Sequence, residues 1–311
     1  MASTFPLTFP YTFSPLVLPP LPIGGESKNL RPYQFQLGDL VFGEHTRYPV
    51  VGVQIATYNV NNQDYQIPLS NETRMGQDTL QAGPMTFTMG VYDNAPMGHG
   101  YNTLPNDLIL KSSKLLTALQ KEWKADDVRQ VWGELKPLIY CDGYGSVRRI
   151  YGRPRKFTYT RKRPGSQFHK VTAEYARIDT LTYTDTEFAT VLTNGADPVN
   201  YTRDGGDAPS WYRALLTGPQ TNPLVIIGDD QIQLQHTIAE GVVLEVNTYP
   251  WSRRIVDTNG ANWRNTLIGN SKYLDRMTIP ADTSVPMSWV ATSTNSSSSC
   301  LVLWRDAYNT V

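Results

Sequence analysis

Cysteine is nearly missing from this chain: only Cys141 and Cys300 are present among 311 residues. Two thiols so far apart in sequence set no disulfide framework, and both are expected reduced, one in each half of the molecule. Long apolar runs are missing as well. None approaches the ~20 residues of a bilayer-spanning helix, so no membrane insertion is expected. Net charge is absent, with 28 Lys and Arg against 28 Asp and Glu. That balance excludes a generally basic nucleic-acid binder and leaves only a local role for positive charge. Catalytic signatures are lacking too. No GxSxG, Walker A or dinucleotide fingerprint occurs, and His45, His99, His169 and His236 show no metal-ligand spacing. The sequence supports neither an enzyme nor a metal or cofactor.

The N-terminal "MASTFPLTFPYTFSPLVLPPLP" is apolar but has no basic n-region, and six prolines would break a helical h-region. It reads as an extended, polyproline-like arm, either a free tail or a segment that packs on a neighbour.

What is present is β-pattern. Apolar residues make up 40% of the chain, with 7 Trp and 18 Tyr, enough to build two cores at ~150 residues per domain. Period-two alternation marks "YQFQL" (Tyr33, Phe35, Leu37) and "VVGVQIATY", with Val51, Val53, Ile55 and Thr57 on one face. "PMTFTMGVY" likewise places Met85, Phe87, Met89 and Val91 together. "SSKLLTALQKEW" is the one convincing helix, with a serine cap and Leu115, Leu116, Leu119 and Trp123 on the face that covers a sheet. A composition break at Asn194–Trp211 gives a boundary, and about eight short strands follow it. They include "LVIIG", "LDRMTIP", "PMSWVATS" and "CLVLWRDAY", the pattern of a jelly-roll sandwich.

The Gly228-Asp229-Asp230 stretch resembles a polymerase metal hairpin, yet an acidic turn between two strands explains it. "DGYGS" from Asp142 to Ser146 is read as a turn. Trp289 and Trp304 fall on core faces, whereas Trp251 and Trp263 stand out as candidates for an exposed aromatic platform that could bind sugar.

The conspicuous feature is basic. Arg148, Arg149, Arg153, Arg155, Lys156, Arg161, Lys162 and Arg163 occur without one intervening acid. Twenty-eight basic residues less these eight leaves 20 against 28 acidic, so one positive segment sits on an acidic background. Phe157 and Tyr159 fall on one strand face, Lys156 and Thr158 on the other, and Pro154 marks a bend or sheet edge.

Three passages then carry a family resemblance, in order over the second half of the chain: "VRRIYGRPRKF" with "ARIDTLTYTD", "LEVNTYPWSRRI" with "NSKYLDRMTIPAD", and the terminal "LVLWRDAY". Together they resemble the distal tail or minor tail proteins of long-tailed bacteriophages, particularly those infecting actinobacteria. The resemblance implies a mainly β chain. It would have a Pro-rich arm (1–28), a ring-forming belt domain with a β-barrel or split-sandwich core and one α-helix (29–195), a linker (196–210) and a galectin-like jelly-roll sandwich (211–311). It implies a homo-hexameric ring at the distal end of the virion tail, assembled in the host cytoplasm. Tail tube protein and tail tip or baseplate hub protein would be its partners, with tape measure protein in the lumen. A host-adhesion module that binds carbohydrate is the alternative. On that frame the eight basic residues border a subunit or tube interface or face the lumen, without sequence-specific nucleic-acid binding.

Overall fold

A computed structural model describes residues 27–56, 58–67, 72–91, 105–161, 168–203, 205–281 and 284–309. Most of the Pro-rich arm, His99 with its glycine loop, and Lys162 and Arg163 lie outside the described residues. The chain opens with β1 (Gln34–Leu37), β2 (Leu40–Gly43) and β3 (Val50–Ile55). A projecting stretch follows, made of β4 (Tyr58–Asn61), β5 (Tyr65–Gln66), β6 (Thr73–Arg74) and β7 (Thr79–Ala82). Then come β8 (Met85–Val91), α1 (Pro105–Lys124) and the one-turn α2 (Asp126–Arg129). The first unit closes with β9 (Leu138–Cys141), β10 (Val147–Ile150), β11 (Gly152–Arg161), β12 (His169–Arg177) and β13 (Thr182–Thr184).

The second unit starts with β14 (Phe188–Leu192), β15 (Val199–Thr202), β16 (Tyr212–Thr217) and β17 (Gln220–Ile227). It continues with β18 (Asp230–Leu234), β19 (Thr237–Ile238), β20 (Val243–Asn247), β21 (Arg254–Asp257) and β22 (Leu267–Ile268). The chain ends with β23 (Ser284–Thr292), β24 (Ser299–Trp304) and β25 (Ala307–Tyr308). The architecture is mainly β, as the alternation predicts.

In the first unit a six-stranded sheet, β2-β1-β9-β10-β13-β25, faces a four-stranded sheet, β11-β12-β8-β3. Leu37 and Phe42 from one sheet meet Met85, Phe87 and Tyr175 from the other, and α1 adds Leu116, Leu119 and Trp123. The helix earns its place by that stripe, and the Trp123 indole donates to the Glu174 carbonyl at 3.0 Å. It begins earlier than the serine cap suggested: Pro105 opens it, its fixed φ suiting the first helical turn, while Ser112 is buried within it. A β-bulge between Val50 and Gly52 alters the predicted face of β3. Val50, Val53 and Ile55 face the core strand β8, and Val51 is turned out, 76% exposed.

The second unit is a sandwich of a five-stranded sheet, β14-β24-β16-β20-β21, and a six-stranded sheet ordered β15-β23-β17-β18-β22, with β19 on β17. Trp289 and Trp304 lie in its core as predicted. Gly228 to Asp230 is the tight turn between β17 and β18. The predicted boundaries shift, because pairing decides them. β14 and β15 join the sandwich sheets, so its strands start at Phe188 and the segment 196–210 carries a sandwich strand rather than a linker. "LDRMTIP" forms turns and one bridge, Ile279 with Ser210, instead of a strand.

The two units are bolted together. The last strand, β25, leaves the sandwich and pairs with β13 of the first unit. Tyr151 and Tyr183 from the first unit pack there with Tyr249 and Trp251 from the second. Arg203 and Asp306, both buried, pair at 2.8 Å beside the crossing.

Candidate assembly surface

The basic stretch divides into three environments. Arg148 and Arg149 belong to β10 and have acidic partners that lie elsewhere in the sequence. Arg149 is buried and ion-paired with Asp185 at 2.6 Å. It is therefore a structural charge and no part of a surface. Arg148 is half-buried, 3.7 Å from Asp142, with its guanidinium over the Tyr308 ring at 4.1 Å. Arg153 is also half-buried, and donates to the carbonyls of Val131 (2.8 Å) and Glu134. It staples the 131–134 turn to β11. Only Arg155, Lys156 and Arg161 of the described set are exposed.

Those three lie on β11, an edge strand of the four-stranded sheet, where Pro154 removes no ladder bond and a bulge follows it. Beyond the bulge, alternation resumes as predicted: Phe157 and Tyr159 turn toward Ala173 and Val171, and Lys156, Thr158 and Thr160 turn outward. The outward face continues across the ladder as Lys170, Thr172 and Glu174, then Thr86 and Thr88, then Gln54. It is polar and rich in threonine, with two exposed apolar side chains, Phe168 over Gly90 and Val51 at the β3 bulge. At its end His169 is buried, and burial, with help from Arg161, lowers its pKa.

The opposite edge of the same sheet is β3, also without a strand partner on its outer side among the described residues. From the β3–β8 pair a two-stranded arm, β4 to β7, projects away from the core. Its root is tight: a side chain on Gly83 would strike the Ala56 carbonyl. Tyr58, Val60 and Leu80 lie on one face of the arm, with Val60 directly opposite Leu80, and all three are exposed. The sequence reading missed this arm, because its strands are short and mostly polar.

The aromatic platform is not formed. Trp251 lies in the junction cluster, its ring centroid 4.4 Å from that of Tyr151. Trp263 stacks on His236 at 3.8 Å and donates to Asp257 at 3.0 Å. Both indoles are half-buried and committed to their own chain. The junction also holds Asp179, whose carboxyl accepts a bond from the Tyr183 hydroxyl. Burial pushes the Asp179 pKa up to about 6. Cys141 and Cys300 are free and buried, and burial raises the pKa of both thiols.

No protein-family model and no curated protein matches the chain. Solved structures do. The crystal structure of the SPP1 Dit protein, described as a paradigm of the hub adsorption apparatus in phages infecting Gram-positive hosts, aligns with a TM-score of 0.52. Identity is 15%, over 88% of this chain and 98% of that one. The phage P2 baseplate in its activated conformation with calcium aligns with a TM-score of 0.50 at 10% identity, over 89% and 99% of the two chains. The same baseplate with strontium aligns equally well. Over nearly the full length of those chains, then, this chain has the fold of the phage Dit protein.

Proposed function

We propose that the protein is a structural, non-enzymatic component of a phage tail tip, six copies of which close into a ring between the tail tube and the hub. The observation that carries this reading is the four-stranded sheet, whose two opposite edge strands lack a further strand partner among the described residues and whose outer face is mostly polar. A free edge pairs with another strand, and two different free edges on one sheet make a heterologous contact. β3 runs antiparallel to β8, β8 to β12 and β12 to β11, so β3 of one copy can meet β11 of the next as an antiparallel pair. Repeated around an axis, that contact closes.

The size fits a conduit. Six four-stranded sheets, at ~4.8 Å between strands, give a circumference of roughly 115 Å and a backbone-to-backbone width of about 37 Å before strand tilt widens it. The threonine-rich outer face would line this lumen, with Lys156, Lys170 and Glu174 supplying mixed charge. Such a wall is mostly polar and hydrated along the threonine rows, with Val51 and Phe168 as its apolar exceptions. The sandwich unit would project outward, held by β25 and the aromatic junction.

Gold-labelled antibody against the protein, applied to purified virions, should mark the distal end of the tail. Labelling of capsids, or of no virion structure, would overturn the assignment.

A further inference from the structure

Trp132, in the turn after α2, is 100% exposed, and Val131 and Ile178 are exposed as well. The three border a groove of about 600 Å³, whose lining also takes in Gln81 and Ala82 at the root of the same copy's projecting stretch. Arg129 and Arg155 line it too, and no acidic residue does among the described residues. The turn that carries the indole is held in place, because Arg153 donates to the Val131 and Glu134 carbonyls. A protein surface seldom leaves a whole indole in water, and a firmly held one on a groove has the character of a contact hot spot. The groove offers an apolar face and several N–H donors, without a carboxylate of its own. That combination suits an apolar segment rich in carbonyl acceptors.

Such a segment starts one helical turn away. Ser27, the first described residue, lines a second cleft together with Asp127 and Lys136. Lys28 anchors the chain there: its amide donates to the Gln36 side chain at 2.7 Å, and its Nζ to the Asp39 carbonyl at 2.5 Å. The short helix α2 joins the two places, since its Asp127 lines this cleft and its Arg129 lines the Trp132 groove. Four residues of helix rise only ~6 Å. Upstream of Ser27, residues 1–25 contain no Asp, Glu, Lys or Arg. Six of them are proline, which removes N–H donors and leaves carbonyl acceptors in excess.

Proline is densest in the stretch from Leu16 to Pro22, "LVLPPLP". In a polyproline helix, with three residues per turn, Leu16, Pro19 and Pro22 share one edge. Pro-rich segments dock on aromatic-lined grooves through that spacing. Pro22 is five residues from Ser27, about 15 Å at ~3.1 Å each, which exceeds the rise of α2. Gly24 and Gly25 allow the chain to turn between the two places.

We infer that the Trp132 groove is the seat of this chain's own Pro-rich N-terminal arm. The Leu16, Pro19 and Pro22 edge packs on Trp132, Val131 and Ile178, while the Arg129 and Arg155 guanidiniums donate to the arm's carbonyls. The arm thereby covers the exposed indole within one copy, and this contact stands whether or not copies close into a ring.

Chymotryptic cleavage of the full chain after Leu16 reads the contact, because a seated segment is cut only when it opens. Trp132→Ala should speed that cut by roughly ten-fold or more, the loss expected when a hot-spot side chain is removed. Pro19→Ser with Pro22→Ser should act alike from the other side of the contact. Unchanged melting temperatures would show that the chain itself is intact in both variants. Equal cutting rates in the wild type and both variants would overturn the contact. The copy that supplies the arm is read by joining Leu21→Cys to Val131→Cys with a short bismaleimide, to which the buried Cys141 and Cys300 are closed. A link within one chain is expected. Links only between chains, or no link at all, would overturn the assignment to the chain's own arm.

Discussion

The buried Arg203–Asp306 pair gives the sharpest stability prediction. Both side chains are almost fully excluded from water, at 0% and 3% exposure, and Nε lies 2.8 Å from Oδ1. Arg203 also donates to the carbonyls of Ala208 (2.8 Å) and Ile279 (3.2 Å), while its Nη2 has no partner among the described residues. Asp306→Ala leaves that guanidinium in a low-dielectric site without its counter-charge. Removing one partner of such a pair costs about 3–5 kcal/mol. At roughly 2–4 °C per kcal/mol for a unit of this size, the transition should fall by about 6–20 °C. Arg203→Met combined with Asp306→Leu removes both charges and should lose much less, since neither buried ion then remains. Urea unfolding of the wild type, Arg203→Met, Asp306→Leu and the double variant yields the coupling energy directly. A loss below about 1 kcal/mol for Asp306→Ala, or strictly additive losses in the double variant, would refute the buried-pair account.

Asp179 gives a pH signature. Its carboxyl titrates near 6 in the fold, against 3.8 for an ordinary aspartate, because burial penalises the ionised form. The folded state therefore holds the proton more tightly, and stability falls as pH rises from about 4 to about 6. The penalty is of order 3 kcal/mol once both states are ionised. Asp179→Asn should flatten that slope in melts taken between pH 4 and 8; an unchanged slope would count against it. At the sheet edge, Arg161→Glu together with Lys162→Glu and Arg163→Glu should impair tail assembly. Normal yields of infectious particles from that variant would remove the basic edge from the interface.

The parts of this fold that were legible in the sequence share one property: their signal is local. The 85–91 strand, the Leu116–Trp123 stripe and the acidic 228–230 turn each announce themselves within a dozen residues. The missed strand β16 is buried along nearly all its length, at the centre of its sheet, so it has no alternation to display. The meaning of the basic stretch was likewise hidden by distance. Arg149 finds Asp185 across 36 positions, and Trp251 finds Tyr151 across the domain junction. Composition sees eight positive charges; only the fold separates the neutralised arginines from the exposed ones. Bulges defeat pattern reading for a different reason, since one extra residue in β3 reverses the face of Val51.

The account stands on closure of a ring through opposite sheet edges, and the native particle tests that most directly. Purified chain at micromolar concentration, measured by native mass and imaged end-on, should give six times the 34.9 kDa chain mass and a six-fold ring with an open centre. A monomer, a two-fold dimer or an open filament would contradict it.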